Sequence, residues 1–113
     1  MCSKDLLNDL LMQLSEHSKN IFGEKLKKVV LYGSYARGDY DEESDIDVMI
    51  FVDMSPEELN KYRKKITHFC SDLNVDNCVF ISPKLQSVPL FEQWKNVLPF
   101  YQNVNREGIQ VYG

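Results

Sequence analysis

The sequence contains no long hydrophobic run, no excess of basic residues and few cysteines. None of its apolar stretches approaches the roughly 20 residues that span a bilayer, so we expect no transmembrane helix. Its 113 residues include 13 Lys and Arg against 17 Asp and Glu, a net charge of −4 that argues against a free-standing nucleic-acid binder. These absences favour a globular protein that acts neither in the membrane nor directly on nucleic acid.

The three cysteines, Cys2, Cys70 and Cys78, are odd in number and form no Cys-x-x-Cys pair. A disulfide framework or a structural zinc site is therefore not expected, and a reducing cytoplasm is the compartment that fits best. The first residues lack the basic start and the apolar segment of a signal peptide. The length predicts a single domain over residues 1–113.

Hydrophobic periodicity predicts an α+β (α/β) fold with a small mixed sheet of about four strands. Predicted helices cover residues 4–22, 55–73 and 98–107, and predicted strands cover residues 26–32, 45–52, 75–82 and 109–112. Pro83 is expected to end the third strand, and residues 84–96 are left unassigned. This order places the helices on one face of the sheet and leaves the other face partly open.

The most informative stretch is the loop between the first two predicted strands. It begins with Gly33 and Ser34 and ends with Asp45 and Asp47, whose i, i+2 spacing on a strand directs both carboxylates to one face. Two carboxylates beside a glycine turn suit a divalent cation that carries phosphate. A purely structural role is less favoured, because two carboxylates on one face repel each other unless a cation offsets the repulsion.

Two common phosphate-binding and cation-binding loops do not fit this spacing. Gly33 and Gly38 match the opening of a P-loop, but an aspartate and a tyrosine follow where that loop requires Lys and Ser or Thr. An EF-hand loop starting at Asp39 would have Ser44 in place of its bend glycine and Ile50 in place of its bidentate glutamate. Both readings therefore fail.

The run GSYARGDYDEESDIDV, residues 33–48, resembles the signature of the minimal nucleotidyltransferases of the DNA polymerase beta superfamily. Its Gly-Ser, ten intervening residues and Asp-x-Asp are similar to the pattern of the MntA-type antitoxins of HEPN/MNT toxin–antitoxin pairs. The resemblance extends over most of the chain, including a closing helix with Glu-Gly before the last strand. It implies a polymerase-beta-like nucleotidyltransferase fold.

The resemblance also implies a metal site. In that family two aspartates and a third carboxylate on a neighbouring strand hold two Mg²⁺ ions, with Mn²⁺ as an alternative ion, and the matching residues here are Asp45, Asp47 and Asp76. Asp53 would lie on the same strand face as Asp45 and Asp47, but it is about 20 Å beyond Asp47 along an extended strand. Asp72 falls near a helix end. Asp76 is therefore the preferred third carboxylate, either as a metal ligand only or also as the base that deprotonates the attacking hydroxyl.

Four residues correspond by resemblance to the nucleotide site. Gly33 lets the backbone approach the triphosphate, and Ser34 can donate hydrogen bonds to phosphate oxygens. Arg37 would neutralise the β- and γ-phosphates and the leaving pyrophosphate, although an exposed ion pair with a neighbouring aspartate is the alternative. Ser44 would shape the turn before the first metal ligand.

The implied reaction is Mg²⁺-dependent transfer of AMP from ATP to a hydroxyl, with release of pyrophosphate. The family implies that the acceptor is a tyrosine of a partner HEPN-domain toxin, so that the chain is an antitoxin within a hetero-oligomer. One alternative is a nucleotidyltransferase that modifies a small molecule with the help of another subunit, and the other is a binding-only antitoxin. The acceptor, the base preference, the number of nucleotides added and the oligomeric state stay open at this stage.

Overall fold

The structure is a computed structural model that describes residues 3–41 and 44–113. Met1, Cys2, Glu42 and Glu43 lie outside the described residues, and they include one of the three cysteines and two residues of the predicted loop. In chain order the elements are α1 (Lys4–Phe22), β1 (Leu26–Tyr32), α2 (Ser34–Arg37), β2 (Ile46–Val52), α3 (Pro56–Asn60), α4 (Arg63–Asn77), β3 (Ile81–Ser87), α5 (Val88–Trp94), α6 (Pro99–Glu107) and β4 (Ile109–Tyr112).

The four strands form one mixed sheet in the order β3-β2-β1-β4. β1 is antiparallel to both β2 and β4, whereas β2 is parallel to β3. Every residue from Val48 to Val52 is buried, as expected for a central strand covered on both faces. The predicted mixed sheet with helices is therefore confirmed.

The helices lie on both faces of this sheet rather than on one. Because side chains alternate along β2, Val48, Ile50 and Val52 join the larger core against α1 and α4, whereas Met49 and Phe51 point to the opposite face. On that face α5 and α6 contribute Phe91 and Val104 to a smaller apolar cluster. The predicted open face is thus partly covered, because the segment left unassigned folds into α5.

The first helix and the first two strands have the bounds that periodicity predicts, to within one residue. The leucines of α1 recur at helical spacing, and the N–H of Leu6 donates to the Ser3 hydroxyl at 3.1 Å to cap the helix. The second predicted helix is instead two helices, α3 and α4, separated by a short turn, and it continues four residues beyond the predicted end at 73. Ser55 caps α3 as predicted, with Pro56 at its start.

The predicted third strand, residues 75–82, is wrong. Residues up to Asn77 belong to α4, which ends at Cys78 in the left-handed conformation, and β3 begins only at Ile81. The Asn74 side chain bridges this junction, because its Oδ1 accepts from the Ile81 N–H at 2.7 Å and its Nδ2 donates to the Ile81 carbonyl. Pro83 lies inside β3 rather than at its end, which an edge strand tolerates.

The sequence predicts neither a disulfide framework nor a transmembrane helix. Within the described ranges Cys70 and Cys78 are both free thiols, and burial raises the pKa of Cys70 to about 12. No described helix is long and apolar enough to cross a membrane.

Candidate active site

The turn after β1 brings the backbone of Gly33 against the side chain of Asp47. Gly33 adopts φ 75° and ψ −154°, a conformation that only glycine adopts readily, and a Cβ atom at this position would collide with Oδ2 of Asp47. The two segments meet because β1 and β2 are antiparallel with Tyr32 directly opposite Asp47. A glycine and a carboxylate from the two ends of the predicted loop thus form one wall of a site.

Asp45 and Asp47 stand at the start of β2. Asp45 immediately precedes the strand and is exposed, whereas Asp47 is half-buried. Burial, followed by the charge of Asp45, raises the pKa of Asp47 above its usual value, while Arg37 and Lys84 act in the opposite direction. The carboxylate pair therefore carries an electrostatic cost that a bound cation would relieve.

Arg37, at the end of α2, connects the loop to the closing helix. Its Nε lies 3.3 Å from Oδ2 of Asp39 and its Nη1 lies 3.6 Å from Oε2 of Glu107. The Arg37 side chain remains 45% exposed, so solvent screens these ion pairs and they stabilise its position only weakly. The arginine can therefore exchange these carboxylates for phosphate at modest cost.

Strand, loop and closing helix together enclose a cavity of about 340 Å³. Three predicted nucleotide-site residues line it, namely Gly33, Ser34 and Arg37, together with the predicted metal ligand Asp47. The rest of the lining consists of five residues that the sequence did not assign to the site: Tyr32, Phe100, Asn103, Val104 and Glu107. Four of the unassigned residues come from α6. The sequence predicts this helix, and the Glu-Gly marks its end, but no sequence signal indicates that the helix contributes to the site.

Ser44 lies outside the residues that line this cavity and is engaged in the loop itself. Its hydroxyl accepts from the Asp41 N–H at 3.0 Å and donates to the Asp41 carboxylate at 3.3 Å. Its own N–H donates to the Asp41 carbonyl. Ser44 thus shapes the turn before Asp45, in keeping with the structural half of its predicted role.

The structure does not bring Asp76 to the other two aspartates. Asp76 is an exposed residue of the last turn of α4 rather than a residue of a strand. The helix extends through this position because Ile66, Cys70 and Leu73 continue its buried face at helical spacing. In residues 3–41 and 44–113 there is no group of three or more His, Cys, Asp or Glu side chains that could hold a metal ion.

The strand position beside Asp47 is occupied instead by polar and basic residues of β3. Ser82 is the parallel-register partner of Asp47, and Lys84 is the partner of Met49. Because residues two apart share a face, Ser82 and Lys84 lie on the same face of the sheet as Asp47. The ammonium of Lys84 is 5.0 Å from the centroid of the Phe100 ring, which itself lines the cavity.

Comparison with known families matches residues 11–96 to the nucleotidyltransferase domain. The chain belongs to the nucleotidyltransferase domain family. The matched range contains the whole strand–loop–strand segment with Gly33, Asp45 and Asp47, but it ends before α6. This chain is a nucleotidyltransferase enzyme.

Two relatives from Methanocaldococcus jannaschii carry the provisional name protein adenylyltransferase. MJ0141 is 40% identical over 75 residues, which is 66% of this chain and 74% of that protein. MJ0604 is 36% identical over 94 residues, which is 83% of this chain and 86% of that protein. The second alignment covers most of both chains.

Two solved structures share the fold. A mutant toxin–antitoxin MntA-HpeT superposes with a TM-score of 0.58 at 18% identity, covering 94% of this chain and 73% of that chain. A toxin–antitoxin with AMP-PNP superposes with a TM-score of 0.59 at 20% identity over the same shares. These likenesses confirm the predicted MntA-like nucleotidyltransferase fold.

Proposed function

We propose that this nucleotidyltransferase transfers AMP from ATP to a hydroxyl of a partner protein and releases pyrophosphate. The observation that carries the proposal is the convergence of Gly33, Ser34, Arg37 and Asp47 on one cavity, with Asp45 close enough to Asp47 for its charge to raise the pKa of that carboxyl. This set combines a close backbone approach, a hydroxyl, a guanidinium and a carboxylate pair. Phosphoryl-group chemistry of this kind depends on positioning and charge stabilisation more than on covalent help from the protein.

Asp45 and Asp47 would hold Mg²⁺, with Mn²⁺ as an alternative. Carboxylate oxygens are the ligands that these hard cations prefer, and Mg²⁺ usually takes one or two carboxylates together with substrate phosphates. The raised pKa of Asp47, caused first by burial and then by the charge of Asp45, supports this fit, since a partly buried carboxylate beside a like charge is stabilised by a cation. When bound, the ion would polarise the phosphate oxygens and neutralise charge that develops during transfer.

The remaining residues would bind and orient the triphosphate. Gly33 keeps the turn free of a side chain, so phosphate oxygens can come close to the backbone and to the Ser34 hydroxyl. Arg37 would leave Asp39 and Glu107 to pair with the β- and γ-phosphates, where a guanidinium forms stronger, charge-assisted hydrogen bonds. Tyr32 and Phe100, which pack edge-to-face at 5.8 Å, form the apolar side of the cavity.

The acceptor in this proposal is a tyrosine of a HEPN-domain toxin, which makes the chain an antitoxin. The support is the name protein adenylyltransferase given to the relatives and the toxin–antitoxin assemblies whose fold this chain shares.

The test follows the fate of two radiolabels. The chain is incubated with Mg²⁺, the HEPN-domain protein and ATP labelled at either the α- or the γ-phosphate. We expect α label on the partner protein and γ label in pyrophosphate. Transfer of γ label to the partner would identify a kinase and refute the proposal. If neither label is transferred and the partner is still inhibited, the chain is a binding-only antitoxin.

Two variants and a matched control tie the reaction to the site. Asp45→Asn and Asp47→Asn remove one charge each and should abolish α-label transfer. Asp53→Asn changes an exposed aspartate just beyond the opposite end of β2 and should leave transfer at the wild-type rate. Full activity in the first two variants would show that the metal assignment is wrong.

A further inference from the structure

The two-ion arrangement of the family needs a third carboxylate beside the Asp-x-Asp pair, and the described part of this chain does not assemble one. Asp76 is on an exposed helix turn, and no three-membered group of acidic, His or Cys side chains exists in residues 3–41 and 44–113. Asp45 and Asp47 alone, together with substrate phosphates, suffice for one Mg²⁺ ion. The residues therefore fit one ion better than two.

On the neighbouring strand, the residue paired with Asp47 is Ser82, and the next residue on the same face is a lysine, Lys84. β3 runs parallel to β2, and its residues on the face of Asp47 are Ser82 and Lys84. Lys84 is exposed, and its ammonium lies over the Phe100 ring, 5.0 Å from the centroid; Phe100 lines the same cavity as Asp47. No ion pair among the described residues involves Lys84.

We infer that the site binds a single divalent cation and that the ammonium of Lys84 supplies, toward the triphosphate, the positive charge that a second ion would supply. The inference rests on the proposed function for the identity of the nucleotide. Lysine is a compact point charge on a long flexible stem, which suits it to phosphate, and the aromatic ring of Phe100 holds the ammonium near the cavity without neutralising it. A second cation next to this ammonium would meet like-charge repulsion.

The charges of the cavity are consistent with this arrangement. One divalent ion balances Asp45 and Asp47, and Arg37 is already shared between Asp39 and Glu107. Among the described residues Lys84 forms no ion pair with a carboxylate, so it can bind phosphate without first breaking one. Its charge also reaches Asp47, whose pKa it lowers against the opposing effect of burial.

The first test counts bound ions. The full chain is loaded with α,β-methylene-ATP, which cannot release pyrophosphate, and titrated with Mn²⁺ while the free ion is followed by electron paramagnetic resonance. We expect one bound Mn²⁺ per chain and no Mn–Mn coupling. Two bound ions per chain would overturn the inference.

The second test measures the affinity for α,β-methylene-ATP in the presence of Mn²⁺. Lys84→Met keeps the apolar stem and removes the charge, so the dissociation constant should rise about tenfold, the loss expected for one charge-assisted phosphate contact. Lys61→Met, an exposed lysine between α3 and α4, is the matched control and should leave the constant unchanged. An unchanged constant in Lys84→Met would equally overturn the inference, provided its circular dichroism matches the wild type.

Both measurements omit the acceptor, so they separate this inference from the proposed function. One Mn²⁺ and weakened binding in Lys84→Met, together with no α-label transfer, would leave the inference standing and defeat the proposed function. Two Mn²⁺ ions with efficient α-label transfer would do the reverse.

Discussion

Replacing Gly33 with alanine tests the close approach of the turn to the carboxylate pair. The substitution has two separable costs. The backbone at φ 75° and ψ −154° is a glycine conformation, and forcing another residue into it costs about 1–3 kcal/mol. The added Cβ would also collide with Oδ2 of Asp47 and would lie 3.2 Å from its Cγ, an overpacking term of about 1–3 kcal/mol.

Gly23→Ala is the matched control for the first cost alone. Gly23 has φ 59° and ψ −129°, and a Cβ at this position would meet no atom within 4 Å. In urea unfolding we expect Gly33→Ala to lower the free energy of unfolding by about 2–6 kcal/mol and Gly23→Ala by about 1–3 kcal/mol. The difference between the two is the collision with Asp47.

A double-mutant cycle isolates that collision. Asp47→Ala removes Oδ2 and Cγ, so the cost of Gly33→Ala in that background should shrink by about 1–2 kcal/mol. In the otherwise wild-type chain, displacement of the Asp47 carboxylate by about 1 Å should also lower α-label transfer about a hundredfold. Equal costs for Gly33→Ala and Gly23→Ala, with no coupling to Asp47→Ala, would refute the reasoning.

Three further predictions follow from the same structure. Glu107→Gln should tighten binding of α,β-methylene-ATP about two- to fivefold by calorimetry, because it releases Arg37 from an exposed ion pair; weaker binding would contradict this. Asp47→Asn should be more stable than wild type near neutral pH, because folding raises the pKa of this carboxyl and so disfavours its charged form. This stability difference should vanish as the pH falls through the raised pKa toward the usual aspartate range. A difference in urea unfolding that stays constant over this pH range would contradict the prediction. Phe51→Ala should lower the free energy of unfolding by about 3–5 kcal/mol, since the Phe51 side chain is 1% exposed and packs edge-to-face on Phe91. Met12 is 61% exposed, so the control Met12→Ala should change the free energy of unfolding by less than about 0.5 kcal/mol.

The first half of the fold could be predicted from the sequence because local signals agree there. The leucines of α1 repeat at helical spacing, Ser3 caps the helix, and the all-apolar β2 predicts a central strand. Gly33 and the Asp-x-Asp pair follow from spacing in the same segment. Each of these features depends on residues that are neighbours in the sequence.

The segment of residues 75–80 was predicted wrongly because two of its apolar residues are not buried. Val75 and Phe80 are 79% and 73% exposed, yet their hydrophobicity predicted a strand that included Asp76. What ends α4 and starts β3 is the Asn74 side chain bonding to the backbone of Ile81, a contact that composition does not indicate. Pro83 was expected to end the strand, but the edge position of β3 removes the penalty for its missing N–H.

The part of the site that comes from α6 could not be predicted for a different reason. Glu107 reaches Arg37, and Phe100 packs on Tyr32, only after the chain has folded back across the sheet. Lys84 likewise shares a sheet face with Asp47 only through the parallel pairing of β3 with β2. Long-range contacts of this kind depend on the register of the strands, and periodicity alone predicts no register and placed the third strand incorrectly.

The central claim is that the nucleotide binds between the Gly33 turn and α6. A crystal structure with α,β-methylene-ATP and Mn²⁺, with the ion located by its anomalous signal, tests it most directly. We predict that the triphosphate lies against Ser34 and Arg37 with the ion between Asp45 and Asp47. A nucleotide bound instead in the larger groove of about 920 Å³ between α1 and α4, where Lys64 and Lys65 lie, would contradict the account.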